Sequence, residues 1–200
     1  MAESAGGVNK TSPCARVVAY TDLKNAATIM KGITSINQRI VVADLSLVVS
    51  FFHLQLATYK ALLNENQGCM KTKSITAEVL YQLSSSTKIT DALQQYSIKE
   101  GSSDIAFICI DPASDTENSA SSTYDAVLEF TSQIQNLAID GTEFDPQEIS
   151  SPLFLTTAKA AKISKLFKIT PQELEVSGLE ESVSTRLAVK DSLLLKGIFI

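Results

Sequence analysis

Histidine occurs once in this 200-residue chain and cysteine three times, at positions 14, 69 and 109. Both scarcities exclude chemistry. Three widely spaced cysteines with no CxxC pair cannot make a disulfide framework, and they fit free thiols in a reducing compartment. One histidine rules out HExxH, and with no cysteine pair a structural zinc site has no ligand set. No two glycines stand one residue apart, so GxGxxG is absent; GxxxxGK[ST] and GxSxG are missing as well. The 22 acidic residues are scattered, with no pair marked out as general acid and base. The net charge of −5 excludes a basic stripe over the whole surface, so any phosphate contact must come from a local patch. Long apolar runs are also lacking. Residues 1–13 are small and polar, without the apolar core of a signal peptide. The most apolar stretch, residues 40–63, is interrupted by Asp44, His53, Gln55 and Lys60 and reads as buried helix, not as a membrane span.

What is present is an ordinary globular composition, 44% hydrophobic and 20% charged, enough for one domain with a sizeable core. Residues 15–20 and 39–42 are β-rich runs. Thr21 or Asp22 offers a cap for a helix through Lys31. Asp44 stands before a long apolar segment as a candidate N-cap. Behind it Leu45, Val48, Val49, Phe52, Leu56, Tyr59 and Leu63 recur at helical spacing. Leu47, Phe51, Leu54 and Ala57 add a second stripe. A helix apolar on both stripes is expected to be buried on most sides, with His53 a hydrogen-bonded core residue.

Residues 64–68 end that helix, and 69–73 form a short basic loop. Ser74 caps the next helix, whose face is Ile75, Val79, Leu80 and Leu83. A short helix from Thr90 or Asp91 to Tyr96 and a buried strand over 104–110 follow. Residues 113–122 read as a polar loop and 124–134 as helix. Residues 136–144 are ambiguous, with a last strand that turns at Asp140-Gly141 as one reading, and residues 145–152 are connector. Residues 154–167 are helical, and Thr170-Pro171-Gln172-Glu173 is a helix-start signature. Strands interleaved with helices predict a single mixed α/β (α+β) domain with a small, mostly antiparallel central sheet flanked by helices. The expected boundaries are a tail over 1–13, the domain over 14–194 and an apolar extension over 195–200.

Two candidate contact surfaces arise. Lys71, Thr72, Lys73 and Ser74 stand in a loop that ends at a helix start. Unpaired backbone N–H groups and the positive end of the helix dipole favour anions there. The lysines add charge, the hydroxyls can meet phosphate or ribose, and Lys88 joins them if the next helix folds back. Leu179, Val183 and Leu187 form a narrow apolar stripe suited to a protein partner.

The run Met70-Lys71-Thr72-Lys73-Ser74-Ile75-Thr76-Ala77-Glu78-Val79-Leu80-Tyr81-Gln82-Leu83-Ser84 resembles the signature of the PRPK-binding protein family, the kinase-binding subunit of the KEOPS (EKC) complex. In that family a K/R-T-K/R-S/T loop leads into a helix of the form xExLxxLS. Lys88-Ile89-Thr90-Asp91-Ala92-Leu93 is similar to the segment that follows it. Asp22-Leu23-Lys24-Asn25-Ala26, residues 41–45 with the long helix, and residues 169–194 also agree in order. The likeness spans residues 14–194. Residues 113–122 match no motif, and Leu45 stands where some relatives have proline after the aspartate. The resemblance implies a non-catalytic subunit that binds and supports an atypical kinase with ATPase activity. Through that kinase it meets the transferase that modifies the adenosine beside the anticodon with a threonylcarbamoyl group. It also implies help in holding tRNA, including its 3′ end, in cytoplasm and nucleus, with no cofactor, metal or membrane. The alternatives are a small enzyme with an unrecognised site, and a pure scaffold that never touches RNA.

Overall fold

A computed structural model describes residues 15–32, 39–110, 130, 132–135, 137, 139–151, 154, 156–168 and 172. Strand β1 (Ala15–Thr21) leads to helix α1 (Ala26–Gly32) and strand β2 (Ile40–Asp44). A 3-10 turn (Leu45–Leu47) precedes the long helix α2 (Phe51–Asn66). Helices α3 (Ile75–Leu83) and α4 (Ile89–Tyr96) follow, then strand β3 (Ile105–Ile110). Strand β4 (Thr142–Phe144), a 3-10 turn (Pro146–Ser150) and helix α5 (Thr157–Phe167) complete the described order. The four strands form one antiparallel sheet in the order β2-β3-β1-β4. This is the mixed α+β domain that the interleaved pattern predicts.

The sheet is covered on both faces, which is why β3 reads Ile-Ala-Phe-Ile-Cys-Ile without polar alternation. Ala106, Ile108 and Ile110 point to one face with Val17, Ala19, Val41 and Ala43, against α2 and α3. Ile105, Phe107 and Cys109 point to the other, with Ile40 and Val42, against Ala26 and Ile29 of α1 and against Phe130, Ile134 and Leu137. A third cluster, Val49, Ala160, Ile163 and Phe167, joins α5 to the entrance of α2.

Several expectations shift in detail. The first helix starts at Ala26, not beside Thr21 or Asp22. Asp22 adopts a left-handed φ of 54°, and the next two amides are drawn away, Leu23 N to Ser103 O and Lys24 N to Asp140 O. A helix cannot run through residues whose amides are held by other segments. Asp44 caps only the 3-10 turn, accepting from Ser46 N at 2.7 Å; the cap of α2 is Ser50, which accepts from His53 N.

The long helix is therefore shorter than its apolar run, and Leu45 and Val48 lie before it. Its core face is Phe51, Leu54, Ala57 and Ala61, while Phe52, Tyr59 and Leu63 are exposed. The helix is buried on one side, not on most. Residues 136–144 contain the short strand β4, paired to the end of β1. Residues 113–122 and 195–200 lie outside the described residues.

Candidate nucleic-acid interface

The basic loop is set from both ends. Helix α2 ends at Asn66, and Gly68, with a φ of 66°, reverses the chain at no steric cost to glycine. Gly68 N donates to Glu65 O and Cys69 N to Asn64 O, which satisfies two carbonyls of the last turn and fixes the exit direction. At the other end Ser74 is the N-cap of α3, accepting from Ala77 N at 3.2 Å. The capping role read from the sequence is present.

Between these ends the loop is held by a carboxylate. Glu78 lies in the first turn of α3 and is 0% exposed. Its Oε2 accepts from Lys71 N and Thr72 N, both at 3.0 Å, and from Thr72 Oγ1 at 2.9 Å. Its Oε1 accepts from Asn64 Nδ2 and Gln82 Nε2, both at 2.9 Å. Burial by itself raises a carboxyl pKa. Here the hydrogen bonds from Gln82, Asn64 and Thr72 outweigh it and hold Glu78 below its ordinary value, so it is ionised at neutral pH. Helix α2 through Asn64, the loop through its amides and α3 through Gln82 thus converge on one charge.

That geometry sorts the residues singled out from the sequence. The side chains of Lys71 and Lys73 are exposed, and among the described residues neither ammonium enters an ion pair. The Thr72 hydroxyl turns inward, sharing its proton between Glu78 and Ser74 O. Ser74 Oγ is engaged by Ala77 N and lies 3.1 Å from Thr76 Oγ1. The amides of Lys71 and Thr72 are turned to Glu78, and Ala77 N at the helix start is taken by Ser74 Oγ, so these are not open to an anion.

Lys88 is exposed at the start of α4. The chain reaches it through tight turns, Ser86 N to Ser84 Oγ and Lys88 N to Ser86 Oγ. These keep Lys88 near the C-terminal end of α3, and a nine-residue helix spans about 13 Å from that end to the loop. Leu179, Val183 and Leu187 lie outside the described residues. Glu78 is the residue whose role sequence reasoning missed. It stood in the motif as a letter, because nothing in linear order shows that five donors from three segments meet on it.

No catalytic constellation accompanies the loop among the described residues. Nor do those residues include a group of three or more His, Cys, Asp or Glu able to hold a metal ion. His53 is 2% exposed, and its Nε2 donates to Leu83 O at 2.9 Å, which makes Nδ1 the unprotonated nitrogen. Burial pushes its pKa down to about 4. It is the hydrogen-bonded core histidine that the sequence predicts.

Comparison with known proteins bears on this arrangement of a four-stranded sheet, paired helices and a carboxylate-held lysine loop. The sequence matches the family described as kinase binding protein CGI-121 over residues 20–191. It is 28% identical over 172 residues to the EKC/KEOPS complex subunit TPRKB of Danio rerio, covering 86% of this chain and 88% of that one. It is 35% identical over 115 residues to the EKC/KEOPS complex subunit CGI121 of Kluyveromyces lactis, covering 58% of this chain and 62% of that one. For the subunit of the same name from Yarrowia lipolytica the figures are 32% over 93 residues, 46% and 55%. The match to the family takes in every described strand and helix from α1 to α5, together with the loop and the Glu78 that holds it; the chain belongs to the CGI-121 kinase-binding protein family.

Proposed function

We propose that this protein is the non-catalytic kinase-binding subunit of a KEOPS/EKC complex. In this reading it binds and supports the atypical kinase/ATPase of the complex. It also helps to bind tRNA, including its 3′ end, for threonylcarbamoylation of the adenosine next to the anticodon, in cytoplasm and nucleus. Family membership supports the kinase partner. The observation that carries the RNA contact is the pair Lys71 and Lys73, displayed on a loop whose backbone is fixed by Glu78. A net-acidic protein can meet phosphates through such a local patch, and a preorganised loop avoids the entropy cost of ordering on binding.

The test is the double variant Lys71→Glu, Lys73→Glu. Both side chains are exposed, so thermal stability and kinase binding should stay unchanged. tRNA binding should weaken several-fold. The log–log salt dependence should become shallower by about 0.7–0.9 for each phosphate that no longer meets a lysine. Unchanged affinity and slope in the folded variant would remove this loop from the RNA site and leave the pure scaffold.

The kinase contact is assigned to Leu179, Val183 and Leu187, on the strength of their apolar four-residue spacing. Val183→Asp is expected to abolish kinase binding in a pull-down while the unfolding midpoint stays near wild type. A folded variant that still binds the kinase sinks this assignment. A variant that merely unfolds sinks it too, since the stripe is then core; truncating buried aliphatic side chains costs about 2–5 kcal/mol. Turnover by the isolated chain on a generic substrate panel would favour the small-enzyme alternative.

A further inference from the structure

A cleft of about 470 Å³ opens on the side of the molecule where α5 begins, lined by the end of β1, the 3-10 turn after β2 and the residue before β3. It falls within the size range of small-molecule sites. Thr156, the N-cap of α5, lines it together with Lys159 and Lys162, whose three-residue spacing places them on one edge of the helix. The Lys159 ammonium sits over the Phe154 ring, 3.5 Å from its centroid, and the other partner of that ring is Phe144, 5.5 Å away. Among the described residues Lys159 Nζ donates no hydrogen bond, and the Lys162 ammonium makes no ion pair. Among the described residues this half-buried ammonium therefore has the Phe154 ring as its contact and no hydrogen-bond acceptor of the kind such charges ordinarily have.

The neighbouring carboxylates do not fill that role. Asp104 accepts from Thr21 Oγ1 at 2.6 Å, and Asp44 is engaged by Ser46 N and by the Ser102 hydroxyl. Their charge pulls the Lys159 pKa upward, yet burial dominates and lowers it to about 8. Ser46 and Thr156 line the same space, and Thr156 Oγ1 accepts from Lys159 N. The Lys159 and Lys162 ammonium groups and the positive end of α5 stand against Asp104, which lines the cleft, and Asp44, whose charge also reaches Lys159; both carboxylates already accept hydrogen bonds from the chain.

We propose that this cleft is a binding site for a small molecule bearing a phosphate or carboxylate group, with Lys159 and Lys162 as its cationic pair and Thr156 as a hydroxyl donor. The described residues that line it include none of Lys71–Ser74 and none of Leu179, Val183 and Leu187.

The experiment is NMR of lysine side chains in the full chain, titrated with inorganic phosphate, with acetate, and with chloride at matched ionic strength. The expected result is a saturable shift at Lys159 in the millimolar range, with its pKa rising as the anion docks. The stronger of the phosphate and acetate responses identifies the ligand class. Lys159→Gln should weaken binding by roughly tenfold or more. If that variant fails to fold, the exposed Lys162→Gln carries the test and must weaken the same response. Equal shifts with chloride, or undiminished anion response in the folded variants, overturn the site. So does a Lys159 amine that already titrates at or above the ordinary lysine value of 10.5 and moves with neither anion, because the chain's own carboxylates then occupy the cleft.

Discussion

Glu78→Ala is expected to lower the free energy of unfolding by about 3–5 kcal/mol, well beyond a typical surface change. The side chain is 0% exposed and accepts from Lys71 N, Thr72 N, Thr72 Oγ1, Asn64 Nδ2 and Gln82 Nε2. Removing it strands several inward-facing donors at once, each costing about 1–3 kcal/mol less whatever water restores. Glu78→Gln keeps the shape but turns an NH2 toward groups that also donate, so its loss should be intermediate. Denaturant unfolding measures the cost. Amide exchange locates it, with Lys71 and Thr72 losing protection first. A loss under about 1 kcal/mol with unchanged exchange at those two amides would sink the claim that Glu78 holds the loop. The same variant connects stability to function. With the lysines intact but the loop released, tRNA binding should weaken while the salt slope keeps its value, because the charges remain and only their preorganisation is gone.

The second large effect is acid lability from His53. Its pKa is 6.5 when unfolded and about 4 in the folded core. Between those values the unfolded chain takes up a proton that the native chain refuses. Stability contributed by the neutral ring is therefore complete above pH 6.5 and is lost as pH falls toward 4. The loss amounts to about 3 kcal/mol at 1.36 kcal/mol per pKa unit. Glu78, with its pKa held below the ordinary carboxyl value, adds a loss of the same sign at lower pH, below about 4.5. His53→Gln separates the two. Glutamine can still donate to Leu83 O but does not titrate. Unfolding free energies measured at several pH values from 7 to 4 should converge for wild type and variant as the pH falls. Parallel curves would show that His53 is not the group responsible. The packing explains why the ring stays neutral. It meets Tyr96 and Phe167 edge-on, at centroid distances of 6.2 and 6.3 Å, and a cation there has no acceptor among the described residues beyond Leu83 O.

Sequence periodicity and turn chemistry by themselves determined the elements whose signals are local. Ser74 before Ile75, Val79, Leu80 and Leu83 places a capped helix, because a cap and an apolar face are properties of neighbouring residues. Residues 104–110 read as a buried strand, and β3 occupies 105–110, because an unbroken apolar run of that length needs cover on both faces. The ordered motifs around the Lys71–Ser74 loop determined the family. The tertiary structure alone decided where the long apolar run becomes helix. Asp44 and Ser50 are both good caps, and the choice falls to Ser50 because residues 40–44 are paired to β3 and Leu45 N is held by Asp104 O. It decided which stripe of α2 is core, since both stripes are apolar and it is Phe51, Leu54, Ala57 and Ala61 that join the cluster holding Val79 and Ile108. It also decided the role of Glu78 and the surroundings of Lys159. Both depend on groups from distant segments meeting in one place, and a charge is held, shifted or left without an acceptor by neighbours in space, not by neighbours in the chain.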